Sequence, residues 1–176
     1  MLKLAEAIHF AKIAHDGQLR KGGTPYIEHP MRVMFTLSAY TMDEDLLCAA
    51  VLHDVVEDTK YDFTDINMRF GERVANLVKE LTNVEDKKES RAKRIAARND
   101  KYFHMSDDAK VVKMCDRMDN LRTLSSLDPK FAKMYLQESK EMLEYMRAGS
   151  EGLAVDVADD LESEIYLAER IHGYRK

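Results

Sequence analysis

LLCAAVLHDVVEDT, residues 46–59, joins a run that is apolar on every side to four titratable side chains. From Leu46 to Leu52 nothing polar interrupts the chain. The pattern lacks the alternation of a half-exposed strand and fits a fully buried helix. His53 and Asp54 close that run, and Glu57 and Asp58 follow. On a continuing helix His53 and Glu57 would share one face, as would Asp54 and Asp58. Four such groups at the end of a buried helix are costly unless something compensates them. A divalent cation is the simplest compensation, because imidazole and carboxylate both suit first-row metals.

Helical periodicity extends outward in both directions. Leu4, Ala7, Ile8, Ala11 and Ala14 form a stripe that stops at Gly17. Pro30 suits the first turn of a second helix with Val33, Met34 and Leu37 inward. Thr64 and Asp65 are expected to cap a helix that carries Ile66, Phe70, Val74, Leu77, Val78 and Leu81. Further stripes run through Val111, Val112, Cys115, Met118 and Leu121, then Phe131, Met134, Tyr135, Met142 and Met146, then Val157, Leu161, Ile165 and Ala168. Seven glycines and three prolines in 176 residues disfavour an all-β fold. The prediction is an all-α, single-domain helical bundle over residues 1–176, with the motifs in 1–125 and generic helices in 126–176.

Composition narrows the function. A net charge of −5 gives no global attraction to nucleic acid. The basic stretch 85–101, EDKKESRAKRIAARNDK, reads either as a solvated face or connector or as a basic flap over an anionic ligand. It carries acidic residues and has only Tyr102 and Phe103 beside it, which argues against a nucleic-acid module. Cys48 and Cys115 lie in apolar helical stretches and are expected to be buried, reduced thiols. No apolar run reaches membrane-spanning length and no leader is apparent, so a soluble, cytoplasmic protein is expected.

One His-Asp pair cannot complete a coordination shell. His29 sits between the turn-rich segment RKGGTPYIEHP (20–30) and a helix start, where its position is well fixed. Asp116 lies in KMCDRMDN (113–120), where Asp116, Asn120 and Thr123 form a polar stripe at helical spacing. Two His and two Asp leave positions open for water and substrate on a metal that prefers more than four ligands. A second pair, His15-Asp16, is set aside because Gly17 follows and no acidic partner lies one turn on. His9, His15, His104 and His172 are expected to be structural.

The combination of AKIAHDGQLRKGGTPYIEHP (11–30), LCAAVLHDVVEDT (47–59), FGERVANLVKELT (70–82) and VVKMCDRMDNLRTL (111–124) resembles the hydrolase domain of the RelA/SpoT family of HD-domain enzymes. In length the chain looks like a stand-alone small alarmone hydrolase. The resemblance implies removal of pyrophosphate from the 3′ position of guanosine tetra- or pentaphosphate, with manganese, and hydrolysis without synthesis. It implies that His29, His53, Asp54 and Asp116 hold the ion and that Glu57 and Asp58 act on the attacking water. It also implies that Arg20, Lys21, Asn120 and Thr123 contact the nucleotide. Two alternatives stay open. One is an HD-family phosphatase acting on a deoxynucleotide, a cyclic dinucleotide or the 2′ phosphate of NADPH. The other is a nucleotide-binding HD protein that has lost catalysis. Oligomeric state is not legible.

Overall fold

The computed structural model describes residues 2–83, 90–124 and 127–173. Among them it contains ten α-helices and a single isolated β-bridge, between Leu19 and Pro25. The expected all-α class is the observed one. Residues 84–89, which include the start of the basic 85–101 stretch, lie outside the described residues, as do the side chains of Arg91 and His172. The backbone divides into two compact units, Met1–Val84 and Glu85–Lys176.

The first unit holds α1 (Leu2–Ala14), α2 (Glu28–Ser38), α3 (Glu44–Leu52), α4 (Val55–Asp58), α5 (Phe63–Phe70) and α6 (Glu72–Leu81). α3 is its centre, packed against α1, α2 and α6. Every residue from Leu46 to Leu52 is buried, as an all-round apolar helix requires. Cys48, Ala49 and Ala50 let neighbouring helices approach closely. Asp43 starts the helix, accepting hydrogen bonds from the backbone N–H of Asp45 (2.9 Å) and Leu46 (3.2 Å).

Two expectations in this unit need correction. The stripe from Ile66 to Leu81 is two helices, because Gly71 sits at φ +88°, where an L side chain would be strained, and divides α5 from α6. The cap of α5 is Asp62 rather than Thr64. Asp62 accepts from Thr64 and Asp65 N–H, and the Asp65 carboxylate reaches back to Asp62 N–H in a reciprocal capping box.

The second unit holds α7 (Arg91–His104), α8 (Asp107–Arg122), α9 (Pro129–Arg147) and α10 (Leu153–Gly173). α8 packs against α9 and α10, and α7 against α9. Ser90, Ser106 and Asp128 cap α7, α8 and α9, and Pro129 follows Asp128 as the first residue of its helix. α8 is buried along most of its length, including Lys110, Lys113, Asp116, Arg117 and Asp119. Among the described residues no helix is long and apolar enough to cross a membrane.

Candidate metal centre

α3 does not continue into α4. His53 keeps helical dihedrals, but Asp54 relaxes to φ −98°, ψ −4°, a sparsely allowed region where active-site residues are often found. The cause is local. The imidazole Nδ1 of His53 lies 2.8 Å from the carbonyl oxygen of Ala50, the acceptor that Asp54 N–H would use in an uninterrupted helix. The helix therefore does not continue unbroken through His53 and Asp54. The next turn survives, since Asp58 N–H donates to the Asp54 carbonyl at 2.9 Å.

The same contact fixes the chemistry of His53. With Nδ1–H donating to a carbonyl, Nε2 carries the lone pair, the state in which imidazole binds metal. That Nε2 is 3.1 Å from Asp54 Oδ2, and His29 Nε2 is 3.7 Å from the same oxygen. Ligand atoms of His29, His53 and Asp54 all lie within 4.8 Å of one another. Both imidazoles are 2% exposed, with ring centroids 5.3 Å apart at 71°. Two imidazole nitrogens and a carboxylate oxygen crowded together need positive charge among them. A proton serves one pair, whereas a divalent cation serves all three, so the donor set fits such an ion.

His29 reaches this point from the first turn of α2. A three-residue hairpin loop precedes it. Gly23 N–H bonds to the Arg20 carbonyl (2.8 Å), Arg20 N–H to the Thr24 carbonyl and Tyr26 N–H to the Gln18 carbonyl (both 2.9 Å). Gly23, at φ +84°, supplies the left-handed residue that such a loop needs. Arg20 is half-buried, its guanidinium carbon 6.0 Å from the Tyr26 ring centroid, and Lys21 is exposed at the tip.

Tyr26 was not singled out from sequence. Its hydroxyl donates to Asp54 Oδ2 at 2.6 Å, and its ring packs on His15 (4.8 Å between centroids). Burial pushes the phenol pKa far above its usual value, and the carboxylates of Asp54 and Asp58 push it further, so the group stays a proton donor. The available signal was a tyrosine one helical turn before His29 in a segment already read as ordered. His15 is buried, with Nδ1 2.8 Å from Gln18 Oε1, in keeping with a structural role. Gln18 in turn donates to the Asp58 carbonyl at 2.8 Å. Glu57 and Asp58 are exposed on α4, and Glu57 Oε2 accepts the Asn83 N–H at 2.9 Å.

Asp116 belongs to the second unit, buried on α8. Lys113 Nζ is 2.8 Å from its Oδ2, and Asn120 Nδ2 donates to its Oδ1 at 2.7 Å. Thr123 ends the helix and turns its hydroxyl onto the Asn120 carbonyl at 3.1 Å.

Comparison with known proteins adds four findings. The family profile described as HD domain matches residues 7–151. The chain is 39% identical over 131 residues to the guanosine-3′,5′-bis(diphosphate) 3′-pyrophosphohydrolase MESH1 of Drosophila melanogaster, covering 72% of each chain. It is 37% identical over 147 residues to the bifunctional (p)ppGpp synthase/hydrolase SpoT of Escherichia coli (strain K12), covering 80% of this chain and 20% of SpoT, so it spans about a fifth of that relative. Among solved structures, a metazoan ortholog of SpoT that hydrolyzes ppGpp superposes with a TM-score of 0.82 at 31% identity, covering 98% of this chain and 97% of the other.

Proposed function

Because the chain belongs to the HD-domain family and, within it, to the guanosine-3′,5′-bis(diphosphate) 3′-pyrophosphohydrolases, we propose that it removes pyrophosphate from the 3′ position of guanosine tetra- or pentaphosphate. The observation that carries the proposal is the convergence of His29 Nε2, His53 Nε2 and Asp54 Oδ2, with both imidazoles buried. We assign these three residues as ligands of a divalent cation, manganese by resemblance, and take Asp116 as a fourth ligand on its RelA/SpoT-type motif. Bound there, the ion would supply positive charge that polarises phosphoryl oxygens and acidifies water. The single family match over residues 7–151 supports reading both units as one functional domain.

The chain's own residues then have definable tasks. Glu57 or Asp58 orients the attacking water and takes its proton. The water oxygen bonds to the phosphorus next to O3′, the P–O3′ bond breaks, and O3′ takes up the proton that the carboxylate removed, giving GDP or GTP and pyrophosphate. The Asn83 N–H fixes the Glu57 carboxylate for this work. Arg20 and Lys21 bind phosphate oxygens through charge-assisted hydrogen bonds, and a half-buried Arg beside a tyrosine ring can also stack on a base. Asn120 and Thr123 are assigned to the nucleotide by the same motif match.

Incubation with guanosine tetraphosphate and manganese, followed by product identification, tests the proposal. GDP with pyrophosphate is expected. Inorganic phosphate alone, or release only from a deoxynucleotide or NADPH, would replace it with another HD-family phosphatase.

A further inference from the structure

Asp54 stands at the N-terminus of α4, and its carboxylate makes no capping hydrogen bond to that helix. The Tyr26 hydroxyl donates to the oxygen that faces both imidazoles, at 2.6 Å from Oδ2. We propose that Tyr26 is a positioning residue: its hydroxyl holds Asp54 Oδ2 toward Nε2 of His29 and His53, and so sets the affinity of the three for a divalent cation.

Tyr26 is itself held from several directions. Its N–H donates to the Gln18 carbonyl at 2.9 Å, and its carbonyl accepts the His29 N–H at 3.0 Å. Its ring lies against His15 (4.8 Å) and edge-on to His29 (6.0 Å). The donor and one imidazole ligand therefore ride on the same short stretch of backbone, Tyr26 to His29. The hairpin also holds the other end of α4, through Gln18 Nε2 on the Asp58 carbonyl. These two tethers differ in kind: Tyr26 touches an atom of the proposed ligand Asp54, whereas the contacts of Gln18 are the Asp58 carbonyl and the imidazole of His15. Hydrogen-bond partners of ligating carboxylates commonly change metal affinity by about 10–100-fold when removed.

This inference rests on the reading of His29, His53 and Asp54 as cation ligands. It is tested with manganese alone, titrated into the metal-stripped full chain and followed by the electron paramagnetic resonance of the free ion. Tyr26→Phe removes one hydroxyl and keeps the ring on His15 and His29; circular dichroism of the metal-free protein checks the fold. A rise in Kd of about 10–100-fold is expected for Tyr26→Phe, with Gln18→Ala close to wild type. The visible spectrum of the cobalt-loaded protein should shift in Tyr26→Phe and not in Gln18→Ala. Equal manganese affinity in Tyr26→Phe and wild type overturns the inference, as does an equal loss in Gln18→Ala, which would mark general loosening of the hairpin. A wild-type chain that takes up no manganese removes the underlying assignment as well, so the two failures are distinguishable.

Discussion

His53 Nε2 lies 3.1 Å from Oδ2 of Asp54, its own neighbour in the chain, with His53 Nδ1 turned onto the Ala50 carbonyl. With the imidazole neutral, two acceptors at that separation, His53 buried and Asp54 half-buried, repel unless a positive charge lies close to both. Manganese should therefore raise the thermal midpoint of the wild-type chain, by about 2.7 kcal/mol of added stability at a hundredfold excess over Kd. His53→Ala and Asp54→Asn should lose that gain, whereas His104→Ala, a change at an exposed side chain, should keep it. Differential scanning fluorimetry with and without the ion reads the contrast. Asp116→Asn run in the same series tests its assignment as a ligand.

Glu57→Gln is expected to act on turnover rather than on binding. The amide oxygen of glutamine can still accept the Asn83 N–H, so the side chain keeps its anchor but loses its basicity. A loss in kcat of about 10²–10⁴-fold with little change in KM is expected for the removal of a general base. Asp58→Asn identifies which member of the pair takes the proton, by whichever variant suffers the larger loss in kcat. A Glu57→Gln variant with a raised KM and normal kcat would reassign Glu57 to substrate binding.

The residues at the centre of the first unit were legible because α3 is apolar on all sides and the polar cluster stands abruptly at its end. What sequence could not give was the break at His53, since the imidazole takes the Ala50 carbonyl only when its rotamer turns back along the helix. Gly71 was compatible with a continuous stripe, because Ile66, Phe70, Val74 and Leu77 keep helical spacing across it; only its positive φ shows two helices. The Asp62 cap was hidden because several polar residues before a helix offer competing caps, and the reciprocal bond with Asp65 decides between them. Tyr26 escaped notice for a related reason. Its hydroxyl finds Asp54 across 28 positions, which local periodicity cannot report.

Asp43 predicts a pH dependence. Burial raises its pKa, but the hydrogen bond from Arg73 and those from the Leu46 and Asp45 N–H outweigh burial and hold the carboxyl below its usual range. A carboxyl whose folded pKa is depressed adds stability above its unfolded value, and that contribution is lost as pH falls through the folded value. Asp43→Asn keeps the cap and removes the negative charge that faces Arg73, so it should cost up to about 1 kcal/mol near neutrality. That cost should shrink as pH falls below the usual carboxylate range and vanish once the wild-type carboxyl is protonated too. Asp43→Ala should cost about 0.5–2 kcal/mol near neutrality, since the cap is lost with the charge. Urea unfolding at a series of pH values separates the two contributions.

The thiols of Cys48 and Cys115 should be inert in the folded chain. Burial pushes each up to about 12, and both are fully enclosed. Thiolate is the reactive form, so alkylation by iodoacetamide at pH 8 should be negligible under native conditions and should reach both sulfurs in denaturant. Mass spectrometry of the quenched reaction counts the adducts. Rapid labelling of one cysteine in native buffer would place that helix in local unfolding rather than in the stable core.

Arg117 tests how the second unit tolerates a buried charge. It is 5% exposed; its guanidinium lies 4.4 Å over the Tyr135 ring, and Nη1 donates to Ser139 Oγ at 3.2 Å. Ser139 passes the link on to the Tyr135 carbonyl at 2.6 Å, so the arginine ties α8 to α9 through one ring and one hydroxyl. Its Nε has no hydrogen-bond partner among the described residues, so part of the value of the side chain lies in filled volume. Arg117→Ala empties that volume and should cost about 2–5 kcal/mol, in the range of large-to-small core changes. Arg117→Met refills most of it with an apolar chain and should cost less than half as much, because replacing buried charge with well-packed hydrophobic groups is often close to neutral. Arg117→Lys keeps the charge but loses the planar stack on Tyr135, and should fall between the two. Equilibrium urea unfolding gives the ranking. If methionine proved as damaging as alanine, the charge itself, with its pull on the neighbouring Asp116 and Glu138 carboxylates, would be what α8 requires.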